Sequence, residues 1–420
     1  MAQDSISRRG ILKSTVAAAV ATQLAIPPVH AAGSAEIRVG VVGCGARGRG
    51  AAAQAVASAD GVRITSLADL FADSIQTTQA GWANRPRDKY AVPRERCFVG
   101  WDAYKELLAT DVDYVLLTTP AAFRPMHMRA AIDAGKHVYL EKGIAVDPVG
   151  VRTIIAASED ATRKKLAVVS GTWRRHDKAY VETIRRVRDG AIGRIIAGKA
   201  RCLQQAFQVV TRKEGWSDME WQIRNFHCFT WVSGDIIVDQ HIHQLDIANQ
   251  ILGGPPLSCV GTGGRQVHTD PAFGNMFDHF AVDYVYANQV PVASMCRQID
   301  GTYNDLGEWF YGTRGQADIS QARIRIDGGP NWQYRDPPND PWKQIHADLI
   351  ASVRAGNPIN DGKEVALSHL TAIMGRMSAY SGQQVRLEEA MASNLDLMPK
   401  KLELGPLPIA PVAMPGRREP

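Results

Sequence analysis

Residues 37–59 constrain the fold most strongly. Ile37-Arg38-Val39-Gly40-Val41-Val42 is a short β-branched run that reads as a buried strand. It enters Gly43-Cys44-Gly45-Ala46-Arg47-Gly48, and an alanine-rich helical stretch follows from Ala51 to Ala59. This is GxGxxG in strand–turn–helix order. The first glycine permits a tight turn, the second lets the backbone approach a pyrophosphate, and the third lets helix and strand pack closely. A helix N-terminus offers free N–H groups and partial positive charge to phosphates. Gly43, Gly45, Ala46, Arg47 and Gly48 are therefore candidate cofactor contacts. The next strand, Val62 to Ala68, ends at Asp69. An acid about 20 residues after the glycines accepts hydrogen bonds from a ribose 2′-OH. It also repels a 2′-phosphate, so NAD is favoured over NADP.

The alternation continues. Trp101 to Thr110 reads as helix, Val112 to Thr118 as strand, Arg124 to Ala134 as helix and His137 to Leu140 as strand. Alternating strands and helices predict an α/β chain opening with a doubly wound parallel sheet. Ligands sit at the carboxyl ends of such strands. Thr119-Pro120 and Glu141-Lys142 fall there, which sets Lys142 beside a nicotinamide.

The N-terminus reads as an address. Ser7-Arg8-Arg9-Gly10-Ile11-Leu12-Lys13 precedes an apolar stretch from Ser14 to Ile26 and the small-residue end Val29-His30-Ala31. A basic segment, a short apolar segment and an A-x-A-like end describe a signal peptide. The paired arginines point to the twin-arginine machinery and a periplasmic or otherwise exported protein. No other segment approaches the ~18 apolar residues of a membrane span. A net charge of +5 over 420 residues argues for no nucleic-acid partner. The six cysteines form no CxxC pair, so no metal site is expected.

These pieces resemble the Gfo/Idh/MocA family of dinucleotide-dependent oxidoreductases. The match rests on the glycine motif, Thr119-Pro120, His127, Ala134-Gly135-Lys136-His137-Val138, Glu141-Lys142 and Gly234-Asp235 to Asp246. Gly312-Thr313-Arg314-Gly315 and the helix Trp342 to Arg354 also fit. The resemblance implies a Rossmann domain, then an α/β domain with a large, open, mostly antiparallel sheet that makes homo-oligomer contacts. The expected organisation is a leader at 1–31, a Rossmann domain at 35–155, a substrate and oligomerisation domain at 156–400, and a proline-rich, extended or loose tail at 401–420. The family usually reads Glu-Lys-Pro, and here Gly143 replaces the proline, which puts the backbone turn after Lys142 in question.

Residues 235–252 read as one helix, stopped by Gly253-Gly254. On it Asp239, His243 and Asp246 share a polar stripe. Lys142, Asp239 and His243 match the family's catalytic positions. The resemblance implies that His243 is the base on a substrate hydroxyl, Asp239 tunes it, and Lys142 relays the proton. His241 points elsewhere on a helix; on a strand it would join Asp239 and His243 like a metal-ligand set. Asp246 either binds substrate or satisfies local structure.

Residues 216–231 are rich in rings and hydrogen-bonding groups: Trp216, Glu220, Trp221, Gln222, Arg224, Asn225, His227 and Trp231. Such a set suits a sugar, whose faces are apolar and whose rim is polar. The alternative is a packed loop against the Rossmann domain. Trp173 and Arg174 form a second candidate wall. Trp216, Arg224, Asn225, His241 and Asp246 complete the substrate candidates.

The expected function is an exported NAD-dependent oxidoreductase acting on a hydroxyl of a sugar, polyol or glycoside, with nicotinamide held tightly. The alternative is an NAD-dependent glycoside hydrolase or lyase that oxidises, eliminates and re-reduces without net redox change. An intact Lys142, Asp239 and His243 set argues against a non-catalytic sensor.

Overall fold

A computed structural model describes residues 36–416, so the leader at 1–31 lies outside the described residues. The first sheet holds β1 (Ile37–Val42), β2 (Val62–Asp69), β3 (Cys97–Val99), β4 (Tyr114–Leu117), β5 (His137–Leu140) and β6 (Val168–Ser170). Its order is β3-β2-β1-β4-β5-β6, and every pair is parallel. Helices cover both faces, so β4 and β5 are buried throughout. The order reverses between β1 and β4, and a ligand crevice forms at that switch point. One boundary moves. β6 completes this sheet, so the first domain runs through Ser170 rather than ending at 155.

The second sheet holds β7 (Ile195–Gln204), β8 (Ser258–Gly264), β9 (His279–Val285), β10 (Pro291–Gln298), β11 (Asp305–Gly312), β12 (Gly315–Asp318), β13 (Arg323–Ile326), β14 (Trp332–Gln333) and β15 (Val385–Arg386). Its nine strands run β14-β13-β12-β11-β7-β10-β9-β8-β15. Only β7 and β10 pair parallel; the other neighbours are antiparallel, as expected. Strand alternation buries Val282, Tyr284, Cys296 and Phe310 on the inner face. The helices Ile242–Leu252 and Gly362–Ser381 join that core through Leu245, Ile373 and neighbouring side chains.

Two late segments return to the first domain. Helix Pro341–Arg354 buries Ile345, Leu349 and Ile350 among Val39, Val41 and Ala52. Residues 397–407 dock on the first domain. Leu397 N–H donates to Asp147 Oδ2 at 2.9 Å, and Leu402 and Leu407 pack against buried Phe123, Met219 and Ile223.

Candidate active site

A cleft of about 690 Å³ opens at the switch point. Gly43, Gly45, Ala46, Arg47, Asp69, Thr119, Pro120, Glu141 and Lys142 line it. Gly43 turns at φ +99°, and a Cβ there would sit 2.6 Å from Thr119 N. A Cβ on Gly45 would meet nothing within 4 Å, which leaves room for a pyrophosphate. Gly48 lies below the cleft, where a Cβ would collide with the Gly43 carbonyl. No side chain caps the helix Ala46–Ser58, so its first N–H groups face this space. Asp69 is held by Cys44 N–H at 2.6 Å and Phe71 N–H at 2.9 Å, which fixes its carboxylate at the ribose position. These features fit a dinucleotide.

Arg47 and Glu141 make the floor. Arg47 donates to Glu141 Oε2 at 2.6 Å and to the Tyr139 hydroxyl at 2.7 Å. Burial alone would raise the Glu141 carboxyl; Arg47 and Arg124 outweigh it and keep it ionised.

The missing proline has a structural answer. Among the described residues no peptide bond is cis, and Gly143 turns at φ +72°. The buried Arg124 donates one N–H arm to the carbonyls of both Lys142 and Gly143, which fixes the turn. Proline locks φ near −65°. Gly143→Pro, which restores the usual family triplet, is therefore expected to destabilise the chain. A Cβ at Gly143 already meets Ala121 Cβ and Arg124 Nη1 at 3.2 Å. The strain expected is about 1–3 kcal/mol. A thermal melt checks it, and an unchanged melting temperature would refute this account of the turn.

Lys142 leaves β5 and reaches the second domain. Its Nζ donates to the Asp239 carbonyl oxygen at 2.7 Å and to Asp239 Oδ1 at 3.3 Å. Asp239 Oδ2 accepts from His227 Nδ1 at 2.7 Å. Burial would raise the Asp239 carboxyl, but Lys142 and His227 hold it far below the usual carboxylate range. His227 stacks against Phe207 at 4.2 Å and lines the cleft. With Nδ1 bound to a carboxylate, its Nε2 is left to exchange a proton. The aromatic stretch 216–231 was the only sequence signal for His227; its tie to Asp239 is tertiary.

The expected single helix over 235–252 is broken. Ile236–Asp239 and Ile242–Leu252 are separate helices, with Gln240 and His241 in a turn between them. Asp239 therefore bonds His227 rather than His243. His243 stands 6.3 Å from Trp173, ring to ring, and its buried Nδ1 has no partner. Burial, with the charges of Arg174 and Lys142, pushes its imidazole well below the ordinary value, so it is neutral.

Four substrate candidates are corrected. His241 is fully buried and pairs with Ser294 Oγ at 2.7 Å, because the helix break turns it onto β10. Asp246 is buried and paired with Arg175 at 2.6 and 3.0 Å and with Ser368 at 2.8 Å. Asn225 uses both ends of its amide on backbone, from Val210 N–H and to the Ala272 carbonyl. Arg174 is buried against Glu308 at 2.5 Å. Trp173 stands 6.0 Å from Trp342, which lines the cleft. Trp216 and Arg224 do line the cleft, but they lie with Asp69 and Phe71 at its ribose end.

A parallel sheet with a glycine turn, a ribose-directed acid and a lysine at the facing strand end defines a dinucleotide-dependent oxidoreductase. Residues 37–169 match the oxidoreductase family GFO_IDH_MocA, NAD-binding Rossmann fold, and residues 180–318 match the GFO/IDH/MocA C-terminal domain. The chain belongs to the Gfo/Idh/MocA family, and its cofactor is NAD. It is 25% identical over 341 residues to inositol 2-dehydrogenase of Rhizobium meliloti, covering 79% of this chain and 91% of that one. It is 28% identical over 219 residues to a glycosyl hydrolase family 109 protein of Shewanella amazonensis, covering 48% of this chain and 46% of that one. Several other curated relatives are matched over 43% of their length. Aldose-aldose oxidoreductase of Caulobacter crescentus shares the fold, with a TM-score of 0.66 and 18% identity over 84% of this chain and 99% of that one.

Proposed function

We propose that this chain is an exported NAD-dependent oxidoreductase that oxidises a hydroxyl of a sugar, polyol or glycoside while holding its nicotinamide tightly. The observation that carries the reading is the hydrogen-bonded set Lys142, Asp239 and His227 at the mouth of the NAD cleft. Similarity to an inositol dehydrogenase supports the substrate class. Bound NAD supplies a hydride acceptor. Lys142 Nζ binds the substrate hydroxyl and lowers the cost of losing its proton. Asp239 holds that ammonium in place and keeps His227 in one tautomer. An imidazole, His243 or His227, takes the proton. Trp173 supplies an apolar wall for a sugar face.

Paired arginines at Arg8-Arg9 support twin-arginine export to the periplasm. Among the described residues no helix is long and apolar enough to cross a membrane. Val260, Ala293, Met295 and Tyr311 are exposed on one face of the second sheet, which supports a homo-oligomer through that face.

One observation favours redox-neutral glycoside cleavage as a second reading. His227 shares Asp239 with Lys142, and the Lys142 charge acts on His243; elimination after oxidation needs a second proton-transfer group for the acidified C–H. The similarity to a glycosyl hydrolase family 109 protein agrees.

Mass spectrometry of the denatured purified protein tests the first reading, with NAD or NADH expected and NADP absent. A chain that neither carries nor takes up a dinucleotide refutes it. Inositols, aldoses and aryl glycosides then separate the two chemistries. Steady reduction of added NAD marks a dehydrogenase; glycoside cleavage without added NAD marks the redox-neutral route.

A further inference from the structure

The ribose end of the cleft is roofed by the second domain. The Arg224 guanidinium lies 3.8 Å from the Phe71 ring centre and 4.8 Å from that of Trp216. Its two arms reach Asp73 at 3.1 Å, and its Nε reaches Glu220 at 2.9 Å. Phe71 and Asp73 follow directly on the ribose acid Asp69. Arg224 thus spans from one domain to the other across the place where an adenosine enters.

The roof is itself fastened. Arg224 ends the helix Asp218–Arg224, whose inner side chains Met219 and Ile223 pack on Phe123 of the first domain. The tail runs along that helix. The Met219 N–H donates to the Gly405 carbonyl at 3.1 Å, and Gln222 Nε2 donates to the Leu407 carbonyl at 2.7 Å. Leu407 N–H donates back to Asp218 Oδ2 at 3.1 Å. Met398, Leu402 and Leu407 fill the same apolar cluster as Phe123. The tail also binds Asp147 through Leu397 N–H, so it is anchored to the first domain on one side and to the roof helix on the other.

The geometry points to a cofactor-retaining strap: residues 397–407 pin the roof helix, and Arg224 with Trp216 closes over the adenosine of NAD. This rests on the NAD reading and deepens it. Dissociation must unstack Arg224 from Phe71, break its pairing with Asp73 and lift a helix that the tail holds down. The dinucleotide is then a resident group, reoxidised and re-reduced in place, and release is slow because of the strap rather than because of the phosphate turn.

The test uses the full chain loaded with NADH. Release is followed by loss of nicotinamide fluorescence during a chase with excess NAD, beside the dinucleotide per chain retained after gel filtration. Leu407→Asp detaches the strap and Arg224→Ala removes the roof. Each is expected to speed release at least tenfold with the far-ultraviolet circular dichroism unchanged. Where Leu407→Asp fails to fold, the milder pair Leu402→Ala and Leu407→Ala, combined, takes its place. Folded variants that release NADH within twofold of the wild-type rate overturn the strap. A wild-type chain that takes up neither NAD nor NADH overturns the NAD reading instead.

Discussion

Asp239→Asn is expected to lower turnover about 10³-fold while leaving NAD bound. Asp239 is nearly solvent-free, and its carboxylate serves two cations or donors at once, Lys142 and His227. Asparagine keeps the shape and removes the charge. Lys142 loses the carboxylate that holds its side chain in place. His227 loses the acceptor that fixes Nδ1–H, so its tautomer is no longer set. Asp239 bonds none of the glycine-turn residues Gly43 to Gly48. NAD content and melting temperature should change little, and single-turnover reduction of bound NAD by an active sugar or inositol should collapse. A variant within tenfold of the wild-type rate would remove Asp239 from the mechanism. His227→Gln and His243→Gln, measured beside it, show which imidazole takes the proton: the larger loss, with a flattened acid limb of the pH profile, marks the base.

Acidification is expected to unfold the protein steeply between about pH 6 and pH 4. Burial lowers His127, His241 and His346 to about 3, and His137 and His369 to about 4. In the unfolded chain each titrates near pH 6.5. The unfolded state therefore binds more protons below that value, and stability falls as pH falls. Two groups oppose this. Burial raises Asp235 to about 6 and Glu308 to about 7, so the folded state takes up those protons first. His243 and His268 are lowered and Asp69 and Asp361 raised in the same way, so seven histidines stand against four acids and about three protons favour unfolding. At about 1.4 kcal/mol per proton and pH unit, the loss is on the order of 4 kcal/mol for each unit of pH. Two such units remove about 8 kcal/mol, most or all of a typical stability in the lower half of the usual range of about 5–15 kcal/mol. Melting curves at pH 7, 6 and 5 check this; a melting temperature that stays level from pH 7 to pH 5 would contradict it.

The readable parts of the sequence were those whose partners are close in the chain. The strand, glycine turn and helix at 37–58 announce themselves by local pattern, and Asp69 and Lys142 follow from strand ends. The site's second half was legible only in part. A polar stripe at 239, 243 and 246 is visible, yet the break at Gln240 is not, because nothing in that apolar run marks it. What lies on either side of it is fixed in space: Asp239 is held by Lys142 and His227, and His241 by Ser294. The corrected residues share one explanation. Arg174 finds Glu308, and Asp246 finds Arg175 and Ser368, far along the chain. A polar side chain near a site looks alike in sequence whether it faces a ligand or a distant partner in the core.

The helix Pro341–Arg354 has a consequence for synthesis on the ribosome. Its Ile345, Leu349 and Ile350 complete the apolar layer behind β1, and Tyr114 shares a 2.7 Å hydrogen bond with His346. The nucleotide half is thus spelled out by Ser170, yet its back wall arrives only with residue 350. At about 5–20 residues per second the nascent half waits roughly 10–40 s with that layer bare. The halves cannot mature in sequence like beads on a string. A fragment cut after Ser170 would carry a sticky face into solution, where chaperones, or aggregation, would meet it first.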